Sequence, residues 1–292
     1  MKLLDHRYEQ RIAITDLIST LQSVQLNPTE MCNRTCIFCP RHDPKLYRNS
    51  KNHMSVDLCR IIGQQLSELQ FKGRIGFVGF GEPLLHPKLA ECIRAIKQSG
   101  VKAQWIEVNT NGDFLTRDII ESLRDAGCTD IAVSMYDRDD SKKYKIMFKD
   151  IDIRYVLRHH YDKKKNYNLE LVDRIGILRG QLRLDNQRPC YIPFYKMFID
   201  WDGSFLLCDQ DWGRTTKRHN ILDIGIKDFW IEKLNDYRKN LAVSDRAAQH
   251  PCNSCNVNGT LQGKDSFDFI TNDDTFLSLS EKSQDETTTL ID

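Results

Sequence analysis

Between residues 23 and 136 a short apolar run followed by an amphipathic stretch recurs, and this alternation restricts the chain to an α/β fold built on a parallel sheet. SVQLNPTE (23–30) reads as the first strand, and from Ser55 a helix is signalled by Leu58, Ile61, Ile62, Leu66 and Leu69. RIGFVGF (74–80) is the second strand, followed by a helix through Leu89, Ile93 and Ile96 that ends at Gly100. QWIEV (104–108) precedes a helix over Thr116–Ala126, with Thr116 as N-cap and Gly127 beyond its end. DIAVSMY (130–136) is the fourth strand, and IDIRYVL (151–157) and DRIGIL (173–178) are the fifth and sixth. Such β-α units connect by right-handed crossovers, with helices on the outside.

The 292 residues, 40% of them hydrophobic, suffice for one large core or one core plus a small appended domain. Lys+Arg 42 against Asp+Glu 41 leaves a charge of +1, so composition calls for no nucleic acid. The Lys/Arg-rich stretch from Ser141 to Lys165 has Asp interspersed and reads as a solvated face. No apolar run approaches the ~20 residues of a membrane helix, and MKLLDHRYEQR lacks a signal-peptide core, so a cytoplasmic location without membrane contact is expected. There, grouped thiols point to metal more than to disulfides. Seven of the ten cysteines are grouped, as Cys32, Cys36 and Cys39 and as Cys190, Cys208, Cys252 and Cys255; Cys59, Cys92 and Cys128 stand apart.

The unusual residues follow strand ends. Three cysteines come after the first strand, Gly79-Phe80-Gly81-Glu82-Pro83 closes the second, Asn109-Thr110-Asn111-Gly112 follows the third, and Ser134 lies late in the fourth. The carboxyl ends of parallel strands share one mouth, where such folds bind ligands. Three thiolates there leave a metal unsaturated. Catalytic zinc has three protein ligands and an open position, and a [4Fe–4S] cluster with three cysteines has one open iron; spacing alone admits both.

The octapeptide Cys32-Asn33-Arg34-Thr35-Cys36-Ile37-Phe38-Cys39, a CxxxCxxC pattern with an aromatic before the last cysteine, resembles the signature of the radical S-adenosylmethionine (SAM) superfamily. The resemblance implies a partial (β/α)6 barrel whose open iron chelates the amino and carboxylate groups of SAM. It implies a reduced cluster that cleaves SAM to methionine and a 5′-deoxyadenosyl radical, and an electron donor such as flavodoxin or ferredoxin. GFGEP resembles the family's GGEP, so Gly81 and Glu82 would meet the methionine amino group, with Phe80 a departure from the pattern. Asn109, Asn111 and Ser134 resemble the ribose- and carboxylate-binding positions, and Phe38 would pack near the adenine.

RPCYIPFYKMFIDWDGSFLLCDQDWGR (188–214) reads as two strands joined at Asp202-Gly203, with Cys190 before the first and Cys208 at the end of the second. NILDIGIKDFWIEKLNDYRKNLA supplies a helix, and HPCNSCNVNG adds Cys252 and Cys255. A lone Cys-x-x-C would equally suit a zinc knuckle. Together with the hairpin the set resembles the SPASM and twitch domains that follow radical SAM barrels, and its four thiols would saturate one auxiliary [4Fe–4S] cluster, for electron transfer or as a structural staple. The expected organisation is an N-terminal helical extension over 1–24, suggested by Ile12, Ile14, Leu17, Ile18 and Leu21. After it come a core barrel over 25–185, an auxiliary-cluster domain over 186–262 and a polar, flexible tail over 263–292 in which Phe267, Phe269 and Ile270 could still dock.

Radical SAM proteins of this length with four auxiliary cysteines resemble the aminocyclitol and sugar enzymes, which implies a small polar substrate and favours a dehydrogenase. An epimerase would need a cysteine hydrogen donor at the mouth, whereas Cys59 and Cys92 fall on the buried sides of helices and Cys128 opens a strand at the opposite pole. A peptide-modifying enzyme and a non-catalytic iron–sulfur scaffold or electron carrier are the remaining alternatives. About 24 residues before the first strand are few for a peptide-recognition domain, and a carrier has no use for an open iron. The candidate substrate or proton contacts are Arg154, Arg158 and Arg179 on the fifth and sixth strands, and Asp209, Asp211 and Trp212 after Cys208.

Overall fold

The computed structural model describes residues 12–160, Arg174 and residues 188–272. Five strands, β1 (Ser23–Leu26), β2 (Arg74–Phe77), β3 (Trp105–Thr110), β4 (Asp130–Met135) and β5 (Arg154–His159), alternate with α1 (Val56–Glu68), α2 (Leu89–Gln98), α3 (Arg117–Ala126) and α4 (Ser141–Met147). They lie parallel in the order β5-β4-β3-β2-β1. After the short α5 (Ile192–Tyr195), β6 (Lys196–Ile199) pairs parallel with the free side of β1, and β7 (Phe205–Leu206) turns back antiparallel to it. The hairpin at Asp202-Gly203 therefore forms, with Gly203 at φ 86, but its first strand extends the main sheet instead of founding a separate one. The expected sixth strand at 173–178 lies outside the described residues.

Side-chain alternation explains how this sheet carries a site. Val24, Leu26, Ile75, Phe77, Ile106, Val108, Ile131 and Val133 are buried in the main core with the apolar faces of α1, α2 and α3. Between them Gln25, Arg74, Glu107, Asn109, Arg158 and Lys196 point the other way, so the concave face is polar. A uniformly apolar parallel sheet would be covered on both faces. Helix starts are defined locally: Ser55 Oγ accepts from Leu58 N at 3.0 Å and Thr116 Oγ1 from Ile119 N at 3.3 Å. Gly127 ends α3 in the left-handed region at φ 107.

Three expectations are corrected. Residues 12–22 contain a turn and no helix, because Ser19 Oγ accepts from Thr15 N and Asp16 N while Asp16 Oδ1 accepts from Ser19 N. Such side-chain bonds compete with the helical ladder. The helix expected after the hairpin is divided into α6 (Ile226–Asp228), a π turn (Phe229–Lys233) and α7 (Asn235–Ala242). In the π turn Leu234 N bonds Phe229 O, which lets Phe229 stack on Phe205 and the Trp230 indole donate to Leu17 O and Thr20 Oγ1. The flexible tail does not begin at 263: Lys264–Thr271 forms α8, with Ile270 buried beside Phe194 and Leu241 in a small second core. Among the described residues no helix is long and apolar enough to cross a membrane.

Candidate active site

The carboxyl ends of β1 to β5 surround a cavity of about 330 Å³. Cys32, Cys36 and Cys39 line it, as do Gly81 and Glu82 after β2, Asn109 and Asn111 at the end of β3, Ser134 in β4, and Phe38 from the cysteine loop. Every mouth residue proposed from sequence for the thiol site and for SAM thus meets at one place. A larger cavity of about 480 Å³ opens by the amino ends of β1 to β3 and holds none of them.

Close approach of backbone to backbone shapes the mouth. A Cβ on Gly81 would stand 2.1 Å from Thr29 O and 2.6 Å from Met31 O, so only glycine lets the β2 loop lie against the start of the cysteine loop. Glu82 N donates to Met31 O there. The Glu82 carboxylate points into the protein: Oε1 accepts from Thr110 Oγ1 at 2.6 Å and Leu84 N at 3.1 Å, and Oε2 from Asn111 N at 2.8 Å. It ties the β2 loop to the β3 loop, and burial raises its pKa.

Two arginines fix the cysteine loop. Arg34 forks onto Asp113 (Nε–Oδ2 2.7 Å, Nη2–Oδ1 2.6 Å) and reaches Asp137 at 2.6 Å, binding the loop to those after β3 and β4. Arg41, buried, donates to Phe80 O, Glu30 O and Asn49 Oδ1, and Asn49 in turn accepts from Cys32 N at 2.9 Å. Phe80, the departure from the glycine pattern, packs at 4.6 Å from the Trp212 ring and 5.1 Å from Phe198. With Tyr47 and Leu206 these form a separate apolar cluster against Cys39, which closes the mouth on the hairpin side. On the other side Phe38 meets Tyr136 at 5.2 Å, and Tyr136 stacks on His160 at 5.1 Å and 16°. Burial lowers the His160 pKa and pushes the Tyr136 phenol up to about 12, so both rings are neutral at pH 7.

The second thiol set is gathered as well. Burial, then Asp209, Cys255 and Cys252, pushes the Cys208 thiol well up, and burial, then Cys190 and Cys255, pushes Cys252 up to about 12. At the mouth, burial and the neighbouring Cys39 push Cys36 up to about 11. Thiols that raise one another's pKa lie within electrostatic reach, and a bound cation reverses the effect by stabilising the thiolates. Among the described residues no three His, Cys, Asp or Glu side chains meet at one ion-sized point. The fit to iron–sulfur clusters rests on the donors themselves, soft sulfur ligands in sets of three and four.

The candidate substrate and proton contacts fare less well. Arg179 lies outside the described residues. Neither Asp209 nor Asp211 lines the mouth. Burial raises the Asp209 pKa, but Lys196 at 2.9 Å, together with Gln210 and Arg174, leaves it lowered, a paired carboxylate. Asp211 accepts from the backbone and hydroxyls of both Thr215 and Thr216 and so holds the turn over 211–216. Arg154 pairs with Asp130 at the amino end of β4, while Arg158 and Trp212 do line the mouth. Sequence reasoning missed Tyr136 and His160. Each directly follows a strand, β4 or β5, the same rule that singled out the other loops.

Residues 26–182 match the model of the radical SAM superfamily, and residues 190–256 match that of an iron–sulfur cluster-binding domain, SPASM. Over 263 residues, 87% of this chain and 99% of the relative, the chain is 29% identical to the S-adenosyl-L-methionine-dependent 2-deoxy-scyllo-inosamine dehydrogenase of Niallia circulans. The crystal structure of BtrN in complex with AdoMet and 2-DOIA superposes with a TM-score of 0.72 at 26% identity, covering 83% of this chain and 96% of that one. A probable GTP 3′,8-cyclase of Methanococcus maripaludis is 32% identical over 125 residues, 43% of this chain and 39% of that relative.

Proposed function

The chain belongs to the radical SAM superfamily, and from that premise we propose that it oxidises an alcohol on a small aminocyclitol- or sugar-like molecule. Cys32, Cys36 and Cys39 would hold one [4Fe–4S] cluster with an iron left for SAM, and Cys190, Cys208, Cys252 and Cys255 an auxiliary one. When bound, the first cluster and SAM together supply a hydrogen-abstracting radical. A flavodoxin- or ferredoxin-type donor would deliver the electron.

The chain's own residues bind and orient. Phe38, backed by Tyr136 and His160, offers an apolar wall for a base such as adenine. Ser134 and the unpartnered Oδ1 of Asn109 offer polar contacts for hydroxyl groups. Arg158 lines the mouth with two guanidinium nitrogens free of hydrogen-bond partners and Glu107 3.7 Å away, suited to a substrate hydroxyl. Phe80 and Trp212 exclude water from the hairpin side.

One observation carries the choice of oxidation over epimerisation. All ten cysteines are described, and Cys59, Cys92 and Cys128, the three outside the two sets, are buried away from the mouth. No thiol remains there to return a hydrogen atom to the opposite face. The test is anaerobic turnover of the reconstituted protein with SAM and 2-deoxy-scyllo-inosamine or related aminocyclitols in deuterated water. Oxidised product matching 5′-deoxyadenosine without deuterium uptake is expected. Deuterium at carbon with the alcohol retained would overturn the dehydrogenase reading.

A further inference from the structure

The four-thiol set is accompanied by a buried cation without a carboxylate. Arg246 is 1% exposed, and its Nη1 donates to Val257 O and its Nη2 to Pro189 O, each at 2.8 Å. Its Nε has no hydrogen-bond partner, and among the described residues no acidic side chain pairs with it. A guanidinium withdrawn from water is strongly disfavoured unless an opposite charge compensates it. Two carbonyl dipoles offset only part of that.

Its surroundings show where the rest comes from. The two carbonyls belong to residues beside Cys190 and two beyond Cys255, so one planar fork spans two of the three segments that deliver thiols. A Cβ on Gly259 would stand 2.5 Å from Cys190 Sγ and 2.9 Å from Arg246 Nη2, so this glycine leaves the space in which sulfur and guanidinium sit side by side. Lys196, another nearby cation, is already paired with Asp209.

We propose that Arg246 is the counter-cation of the four-thiolate cluster, a positioning residue that holds the Cys190 and Cys255 segments together and raises the cluster's reduction potential. The inference rests on the reading of the four thiols as the ligands of one cluster. That cluster carries net negative charge, which grows on reduction, so an adjacent buried cation favours the reduced form more than the oxidised one. Lysine would keep the charge and lose the fork, and glutamine would keep part of the hydrogen bonding and lose the charge.

The experiment uses the full chain with Cys32, Cys36 and Cys39 replaced by alanine, so that only the auxiliary set takes up iron. After anaerobic reconstitution, iron content and the midpoint potential by EPR-monitored titration are compared for this parent, Arg246→Lys and Arg246→Gln. The expected result is about four irons per chain in all three, with the Arg246→Gln potential clearly more negative and the Arg246→Lys potential near the parent. Loss of the cluster in Arg246→Gln but not in Arg246→Lys also supports the counter-charge. An Arg246→Gln protein with full iron and an unchanged potential overturns it and leaves the cluster reading intact, as does loss of the cluster in both variants, which would leave only the fork. A parent that takes up no iron overturns the cluster reading, and the role of Arg246 with it.

Discussion

At the scale of single residues the mouth is governed by where a side chain is not allowed. Gly81 and Gly76 lie close in sequence, yet a methyl on Gly76 would meet only Val78 Cγ1, at 3.5 Å, whereas one on Gly81 would strike two backbone oxygens. Gly81→Ala is therefore expected to push the β2 loop off the cysteine loop, destabilise the chain by about 1–3 kcal/mol and abolish SAM binding. Gly76→Ala should leave both nearly unchanged. Urea unfolding and equilibrium binding of SAM to the two reconstituted proteins check this, and equal behaviour of the pair would refute the argument. Phe80 teaches the complementary lesson. In the linear motif it is a mismatch, and its reason lies in Phe198 and Trp212, more than a hundred residues away, against which its ring packs.

At the scale of elements, the loops after β1, β3 and β4 are one unit because Arg34 joins them. The Arg34 hydrogen bond holds the Asp113 carboxyl below its ordinary value of 3.8. As pH falls through that value the unfolded chain takes the proton first, so the stabilisation is complete above pH 3.8 and is lost as pH drops through the depressed folded value. The pair is partly exposed, and Asp113→Asn should cost only about 1 kcal/mol at neutral pH. Urea midpoints of the wild type and the variant should stay apart from pH 7 down to about pH 3.8 and converge only as the pH falls further; a gap independent of pH would rule out the ionic tie. The sequence made this unit half legible. Strand-end positions identified the loops because parallel pairing forces them to one side, but which charges meet across loops about eighty residues apart has no periodic signature. The same limit explains the misread elements. Apolar residues at 12–21 have helical spacing, and local bonds from Asp16 and Ser19 override it. Likewise β6 reads as half of a hairpin, and only the register with β1 shows that it extends the barrel sheet.

At the scale of the whole molecule the segment leading into the cysteine loop and the hairpin that leads to Cys208 are clamped by a largely buried charge network. Arg214, after the hairpin, donates Nε to Asp200 Oδ2 and Nη2 to Glu30 Oε1, both at 2.5 Å. Asp200, fully buried, also accepts from Asn27 Nδ2 at 2.7 Å, and Asn27 Oδ1 receives Phe80 N at 2.9 Å. Glu30 collects Tyr47 and Asn52 besides, and the guanidinium faces the Tyr47 and Phe80 rings at 5.4 and 5.2 Å. One cation thus compensates two carboxylates, one immediately before the cysteine loop and one in the hairpin that leads to Cys208. Removing it strands the fully buried Asp200, while Glu30 keeps Tyr47, Asn52 and the nearby Arg41; an uncompensated buried carboxylate costs about 3–5 kcal/mol. Arg214→Met keeps the stem against the rings and deletes the charge, so a loss of that size measured by urea unfolding is expected. Adding Asp200→Asn should recover part of it, because the amide needs no counter-charge although Asn27 then loses its ionised acceptor. If the double variant is as unstable as the sum of the two single ones, the charges act independently. The two segments would then be held by the apolar packing of Phe80, Phe198 and Trp212 instead.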